Sequence, residues 1–289
     1  MIVTRFAPSP TGYLHLGHAF AAITAHDAAQ GGRFIMRIED IDATRCKPEF
    51  EAAIFEDLAW LGLDWEKPVL RQSERFGSYR AALDRLEAQG LLYPCFCTRK
   101  EIADEIAQAS EAPRGPEGPL YPGTCRPLSK SERKTKIESG VPYGLRLDVA
   151  KAAARVAALT FEEQGYGSNG EHGTIACDPL LFGDTVLARK ETPAAYHLAV
   201  VVDDAHQGVT LVTRGNDLFA AIHVQRLLQA LLELPGPAYA HHKLIIDEQG
   251  KKLSKRDNAV TLRHLRETGV TPREVRAQLN LPETHPAPR

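Results

Sequence analysis

The first thirty residues admit few folds. Apolar Ile2 to Phe6 has the character of a short buried strand, Pro8-Ser-Pro-Thr-Gly12 cannot extend it, and from Leu16 the apolar spacing is that of a helix closing on Gly31-Gly32. Strand, turn and helix in that order open a parallel α/β sheet, and the unpaired amides at such a helix start attract anions. His15 and His18 fall at that start, with Gly17 between them. Two imidazoles there would add donors for a polyphosphate, and the glycine keeps the first turn slim enough for a flat group such as a nucleobase. A His-x-Gly-His string by itself more often marks surface or satisfied core histidines; its position gives it weight.

Further along, Arg33 to Asp40 reads as a second strand ending in a carboxylate pair. Ligands bind beyond the carboxyl ends of parallel strands, which would put Glu39 and Asp40 on the same rim as His15 and His18, although a solvated turn uses the same residue types. Helical spacing covers Pro48 to Leu61 and Phe76 to Gln89, and Thr98-x-x-Glu101 and Ser129-x-x-Glu132 are capping boxes. Residues 110 to 127 are rich in Pro and Gly and read as an insertion. Tyr143 to Val149 is strand-like, whereas residues 150 to 177 yield little beyond loops. Thr192-Pro193 predicts a helix over Ala194 to Asp204 despite its valine run. Gly208 to Arg214 is a strand with a charged end, Leu218 to Leu232 a helix, and Lys243 to Ile246 a strand-like run before the turn Asp247 to Gly250 and the basic string Lys252-Leu-Ser254-Lys255-Arg256. Strands alternating with helices on both sides of a long insertion indicate a split parallel α/β domain.

Composition narrows the function classes. With 43% hydrophobic and 25% charged residues the chain is of ordinary globular type, and a net charge of -2 leaves RNA binding to local patches rather than bulk attraction. No stretch reaches the roughly 18 apolar residues of a membrane helix, and Arg5 and the prolines interrupt any signal peptide, so a cytosolic protein without membrane contact is expected. Five cysteines, an odd number, argue against a disulfide framework. Cys95, Cys97 and Cys125 group together, which metal ligation and reduced buried thiols explain equally.

HLGH at 15 to 18 and KLSKR at 252 to 256 together resemble the two signature motifs of class I aminoacyl-tRNA synthetases, and RFAPSPTGYLHLGH is similar to the glutamyl and glutaminyl branch. RIED, Asp203-Asp204 in VVVDD, and Thr213-Arg-Gly215 extend the likeness over nearly the whole chain. KLSKR departs from the consensus KMSKS in its second and last positions and keeps the lysine at its fourth, Lys255. The resemblance implies a Rossmann-like parallel sheet over 1–94 and 190–235, split by a zinc-bearing insertion over 95–189 and followed over 236–289 by the KLSKR loop and a short helical part. It implies ATP, bringing Mg2+, at His15, Gly17, His18, Lys252, Ser254 and Lys255. It also implies a glutamate pocket of Arg5, Ala7, Ser9, Glu39, Tyr196 and Arg214. Bidentate pairing makes arginine suited to a side-chain carboxylate, although an arginine at a strand end is also commonly a surface ion pair. Cys95, Cys97, Tyr121 and Cys125 match the zinc ligands of the smaller members.

Only 33 residues follow Arg256, too few for an anticodon-reading domain. That brevity, with Tyr121-x-x-x-Cys125, resembles the glutamyl-Q tRNA(Asp) synthetases, which activate glutamate without tRNA and transfer it to the queuosine base in the anticodon loop of tRNA(Asp). The expected partners are therefore L-glutamate, ATP and a queuosine-modified tRNA(Asp) anticodon stem-loop, acted on by a monomer. The alternatives are a shortened glutamyl-tRNA synthetase charging the 3' end of tRNA(Glu), and a non-enzymatic zinc-bearing RNA-binding module.

Overall fold

The protein, a computed structural model, is described over residues 1–108, 113–116, 118–245 and 260–282. β1 (Val3–Phe6) is buried at every position and ends before Pro8 and Pro10, which have no N–H to give a ladder. α1 (Leu16–Ala28) returns the chain to β2 (Arg33–Ile38), parallel to β1 with Val3 opposite Arg33 and Phe6 opposite Met36. α2 (Pro48–Trp60) begins with the proline a first helical turn tolerates, and β3 (Glu66–Arg71), which the sequence did not announce, adds to β2 in parallel. α3 (Phe76–Ala88) follows.

The middle of the chain carries β4 (Leu92–Cys95), α4 (Arg99–Gln108), the two-residue strands β5 (Arg114–Gly115) and β6 (Gly118–Pro119), α5 (Lys130–Glu138), β7 (Gly144–Leu147) and α6 (Val149–Ala153). Both expected capping boxes form: Glu101 N–H donates to Thr98 Oγ1 at 3.2 Å and Glu132 N–H to Ser129 Oγ at 3.2 Å. Next come β8 (Thr160–Glu163), β9 (Gly173–Ala176) and β10 (Val186–Ala188). β4, β7 and β10 make a separate antiparallel sheet in the order β10-β7-β4.

The remainder returns to the main sheet through α7 (Tyr196–Gln207), β11 (Leu211–Gly215), α8 (Ala221–Leu231) and β12 (Ala238–His242). The helix predicted over the valine run is thus α7. β11 and β12 are parallel within a four-stranded sheet, β11-β12-β8-β9, distinct from the three-stranded β1-β2-β3; Thr210 N–H donates to Val3 O at 3.0 Å and sets β1 beside β11, so the two ladders continue one another as the main sheet and the carboxyl ends of β1 and β11 share one rim. The strand expected over Lys243 to Ile246 instead occupies Ala238–His242, ahead of it; Ile246 lies outside the described residues. Residues 150 to 177 also differ from the loop reading. β8 pairs parallel with β12, Glu163 opposite Tyr239, and β9 pairs antiparallel with β8, so this part of the expected 95–189 insertion adds to the main sheet.

Helices cover both faces. α3, α7 and α8 enclose Tyr79, Leu83, Leu198, Val201 and Leu227, while α1 and α2 pack with α9 (Leu262–Glu267) and α10 (Pro272–Gln278) around Ile23, Leu58, Leu262 and Val275. Each such aliphatic side chain contributes on the order of 1.5–3 kcal/mol by leaving water. An antiparallel bridge between His15 and Thr261 ties the C-terminal helix pair to the entrance of α1. Among the described residues no helix is long and apolar enough to cross a membrane.

Candidate functional site

Beyond the carboxyl ends of β1, β2, β11 and β12 opens a cavity of about 430 Å³. Arg5, Ala7 and Ser9 reach it from the end of β1, His15, Gly17 and His18 from the start of α1, Glu39 from the end of β2, Tyr196 from the start of α7 and Arg214 from β11. The described members of the two expected ligand sets therefore line one space.

His15 caps α1. Its Nδ1 accepts from Gly17 N–H at 3.1 Å, and His18 Nδ1 accepts from His15 N–H at 3.2 Å, so each imidazole satisfies an amide that the helix start would otherwise leave open. An accepting Nδ1 carries no proton, which places the ring proton of both residues on Nε2 and makes that nitrogen the donor. The rings sit 3.9 Å apart, centroid to centroid. A Cβ at position 17 would come within 3.0 Å of His15 Cε1, so the glycine first of all makes room for the histidine cap.

A buried ionic network holds the other side. Arg5 Nε lies 3.2 Å and Arg37 Nη1 2.6 Å from the same oxygen of Asp204, and Arg37 Nη2 lies 3.2 Å from Glu39 Oε1. Burial pushes the Glu39 carboxyl up against the pull of Arg37 and Arg5. Burial would also raise Asp204, but the two guanidinium groups outweigh it and hold the carboxyl below its usual range. Asp203, the preceding residue of α7, faces a different set: Arg75 Nε at 2.7 Å, Tyr79 Oη at 2.7 Å and Gln72 Nε2 at 2.9 Å. Asp40 does not join the rim as expected. Its carboxylate accepts from Ser73 N–H at 2.9 Å and Ser73 Oγ at 2.6 Å, because side chains of successive residues leaving a strand turn to opposite sides.

Arg214 donates through Nη1 to Tyr196 Oη at 3.3 Å, through Nη2 to Leu218 O at 3.1 Å and through Nε to His241 Nε2 at 3.1 Å. A Cβ on Gly215 would fall 2.5 Å from Asp217 Oδ1 and 2.7 Å from Leu244 Cδ2, so a larger residue there would make both side chains shift. Two guanidinium groups, one carboxylate and an imidazole pair around one cavity suit a small molecule bearing both carboxylate and ammonium groups beside a phosphate chain. Sequence reasoning missed Arg37, wholly buried where a mid-strand arginine reads as surface, and Phe20 and His242, which line the cavity in edge-to-face contact at 4.9 Å. The i+4 spacing of Phe20 from Leu16 was the only sequence signal for the former.

Cys95, Cys97 and Cys125 gather with their sulfurs within 4.8 Å of one another, Cys97 and Cys125 at 3.4 Å, and none of the five cysteines forms a disulfide. Tyr121 Oη lies 3.4 Å from Cys95 Sγ and 3.6 Å from Cys97 Sγ. Three thiols gathered at one point are compatible with zinc. Lys252, Ser254 and Lys255 lie outside the described residues. The chain on either side of them is described: Ile245 lines the cavity and Thr261 bridges His15.

Over residues 1–284 the chain matches the family model of tRNA synthetases class I (E and Q), catalytic domain. It is 50% identical over 285 residues to a glutamyl-Q tRNA(Asp) synthetase of Rhodobacter capsulatus, covering 97% of this chain and 100% of that protein. To a glutamate–tRNA ligase of Aquifex aeolicus it is 41% identical over 273 residues, covering 94% and 55%. A crystal structure of a glutamate tRNA ligase from Elizabethkingia meningosepticum in complex with its amino acid superposes with a TM-score of 0.71 at 29% identity, covering 89% of this chain and 52% of that one, so the chain spans about half the length of that ligase. The helix-start histidines, the arginine-lined cavity and these similarities lead to one conclusion: the chain is a ligase that belongs to the class I tRNA synthetases (E and Q), alongside the glutamyl-Q tRNA(Asp) synthetases.

Proposed function

We propose that this protein activates L-glutamate with ATP and Mg2+, without tRNA, and transfers the glutamyl group to the queuosine base in the anticodon of tRNA(Asp). The observation that carries the reading is the convergence of Arg5, Arg214 and Glu39 on the cavity entered by His15 and His18. Arg214, braced by Tyr196, takes the side-chain carboxylate; Glu39 takes the ammonium; Ala7 and Ser9 shape the floor. The α-carboxylate, left unclamped, attacks the α-phosphorus of ATP. A carboxylate O–P bond forms as the bond to pyrophosphate breaks. Catalysis of this kind is positioning and charge neutralisation, with little covalent work for side chains. The Nε2–H groups of His15 and His18 donate to the phosphates, and Lys252, Ser254 and Lys255 join on sequence grounds, Lys255 neutralising the departing pyrophosphate.

Cys95, Cys97, Cys125 and Tyr121 would hold zinc as a structural cross-link that supplies no chemistry to the reaction. Bound there, it would stabilise a subdomain around Tyr93, Phe96 and the cysteines, whose own core is small.

Pyrophosphate exchange with each amino acid, with and without RNA, followed by transfer of labelled glutamate, tests the reading. Exchange with glutamate alone and label only on queuosine-bearing tRNA(Asp) is expected. Exchange that needs tRNA(Glu), with label on its 3' end, would make the protein a shortened glutamyl-tRNA synthetase, and no exchange would overturn enzymatic activation altogether.

A further inference from the structure

Glu163 does not line the cavity. It lies in β8 at 1% exposure, yet it touches the residue that braces Arg214. Its Oε1 accepts from the backbone N–H of His241 at 2.9 Å and of Gly165 at 2.8 Å, and its Oε2 lies 2.6 Å from His241 Nδ1. On the far side of the ring, Nε2 lies 3.1 Å from Arg214 Nε. A guanidinium has only donors, so His241 Nε2 accepts; the proton of the neutral ring then sits on Nδ1 and is donated to Glu163. The chain of hydrogen bonds runs one way, from Arg214 through His241 to Glu163, and joins two buried charges of opposite sign through a neutral ring. Phe219, edge-on at 5.3 Å, and Tyr239, stacked at 6.1 Å, wall the imidazole in.

The geometry bears on the cavity because Nε is the pivot of a guanidinium. Fixing the direction of Nε–H fixes the plane of the group. Of five N–H donors, three are engaged among the described residues, by His241, Tyr196 and Leu218. Two are left, as many as a bidentate carboxylate needs.

We propose that Glu163 is a positioning residue of the amino-acid pocket: by setting the tautomer of His241 it holds the guanidinium of Arg214 in the orientation that receives the substrate's side-chain carboxylate. The inference rests on Arg214 being that carboxylate's partner. It predicts a specific failure in Glu163→Gln. The amide oxygen must take the Oε1 place, where two backbone N–H groups point, so the amide nitrogen faces His241 Nδ1. The ring then accepts at Nδ1, its proton moves to Nε2, two donors oppose each other, and Arg214 turns away.

Pyrophosphate exchange on Glu163→Gln, together with ¹⁵N NMR of the imidazoles assigned against His241→Asn, tests this. The expected result is a glutamate KM raised about tenfold or more with the ATP KM within about twofold, and a His241 proton moved from Nδ1 to Nε2. A folded variant whose glutamate KM stays within about twofold, or a wild-type His241 protonated on Nε2, would overturn the proposal. Should the variant not fold, the wild-type spectrum decides: Nδ1–H supports the relay and Nε2–H ends it. A wild-type protein without glutamate-dependent exchange would instead sink the functional reading, and the tautomers would still decide whether Glu163 controls His241.

Discussion

Arg37 and Asp204 meet at 2.6 Å, the arginine side chain wholly enclosed and the carboxylate 8% exposed, although they stand 167 positions apart in the chain. Because Asp204 gives the same oxygen to Arg5, this pair anchors a cavity-lining guanidinium to the middle of the sheet. Asp204→Asn leaves two buried guanidinium groups sharing a neutral amide. Removing one partner of a buried pair costs about 3–5 kcal/mol. The urea unfolding midpoint should fall accordingly at pH 7, and the wild-type advantage should shrink in acid. The folded carboxyl titrates below its unfolded value, so its contribution is present above that value and is lost as pH falls through the folded one. A variant as stable as wild type at pH 7 would contradict the anchoring role.

Asp57 has the opposite sign. Burial in α2 pushes its carboxyl up from 3.8 to about 6, Arg266 at 3.8 Å is too distant to hydrogen-bond, and among the described residues neither carboxylate oxygen has a hydrogen-bond partner. A raised carboxyl favours folding below the unfolded value and loses that contribution as pH climbs through the folded one. Compared with Asp57→Asn, wild type should lose up to roughly 3 kcal/mol of urea stability between pH 4 and 7, each pKa unit carrying ~1.4 kcal/mol. A difference that does not vary with pH would show that the carboxylate ionises without penalty.

Arg214→Ala should raise the glutamate KM by about 10–100-fold and leave the ATP KM nearly unchanged, since a hydrogen bond to a charged group is worth ~1.5–3 kcal/mol. Tyr196→Phe, which removes only the brace, should give a smaller shift in the same direction. Steady-state exchange kinetics with each substrate varied in turn separates the two, and equal effects on both substrates would count against a carboxylate clamp.

Metal analysis of the purified protein should find one zinc per chain, and Cys95→Ser should lose it together with several degrees of melting temperature. Removing the metal with a chelator should lower stability without abolishing amino-acid activation at permissive temperature, because the sulfurs lie apart from the cavity lining. Full stability without metal would leave the cysteines as reduced buried thiols.

Local signals were the legible ones. The boxes at Thr98 and Ser129 and the proline starting α2 depend on residues within a few positions of each other, and the sequence displays them directly. Arg5, Glu39 and Arg214 could be placed on one rim because strand ends of a parallel sheet converge there. What stayed hidden depends on distant pairing. Nothing near Arg37 tells that Asp204 will neutralise it, nothing near Asp40 that Ser73 will draw it off the rim, and Glu163 looks like a surface acid until β12 brings His241 beside it. β3 and β12 were missed or displaced because short strands with charged or small residues lack the apolar run that marks a buried parallel strand.

The pairing of β8 with β12 bears on how such a protein can be recombined. A stretch whose sequence reads as an appendage supplies a strand to the main sheet and a carboxylate two hydrogen bonds from Arg214. A chimera that exchanges residues 95–189 as a block would therefore replace part of the amino-acid pocket's own support, whereas crossovers placed before Leu92 and before Thr160 would exchange the whole cysteine cluster and leave that support with its parent.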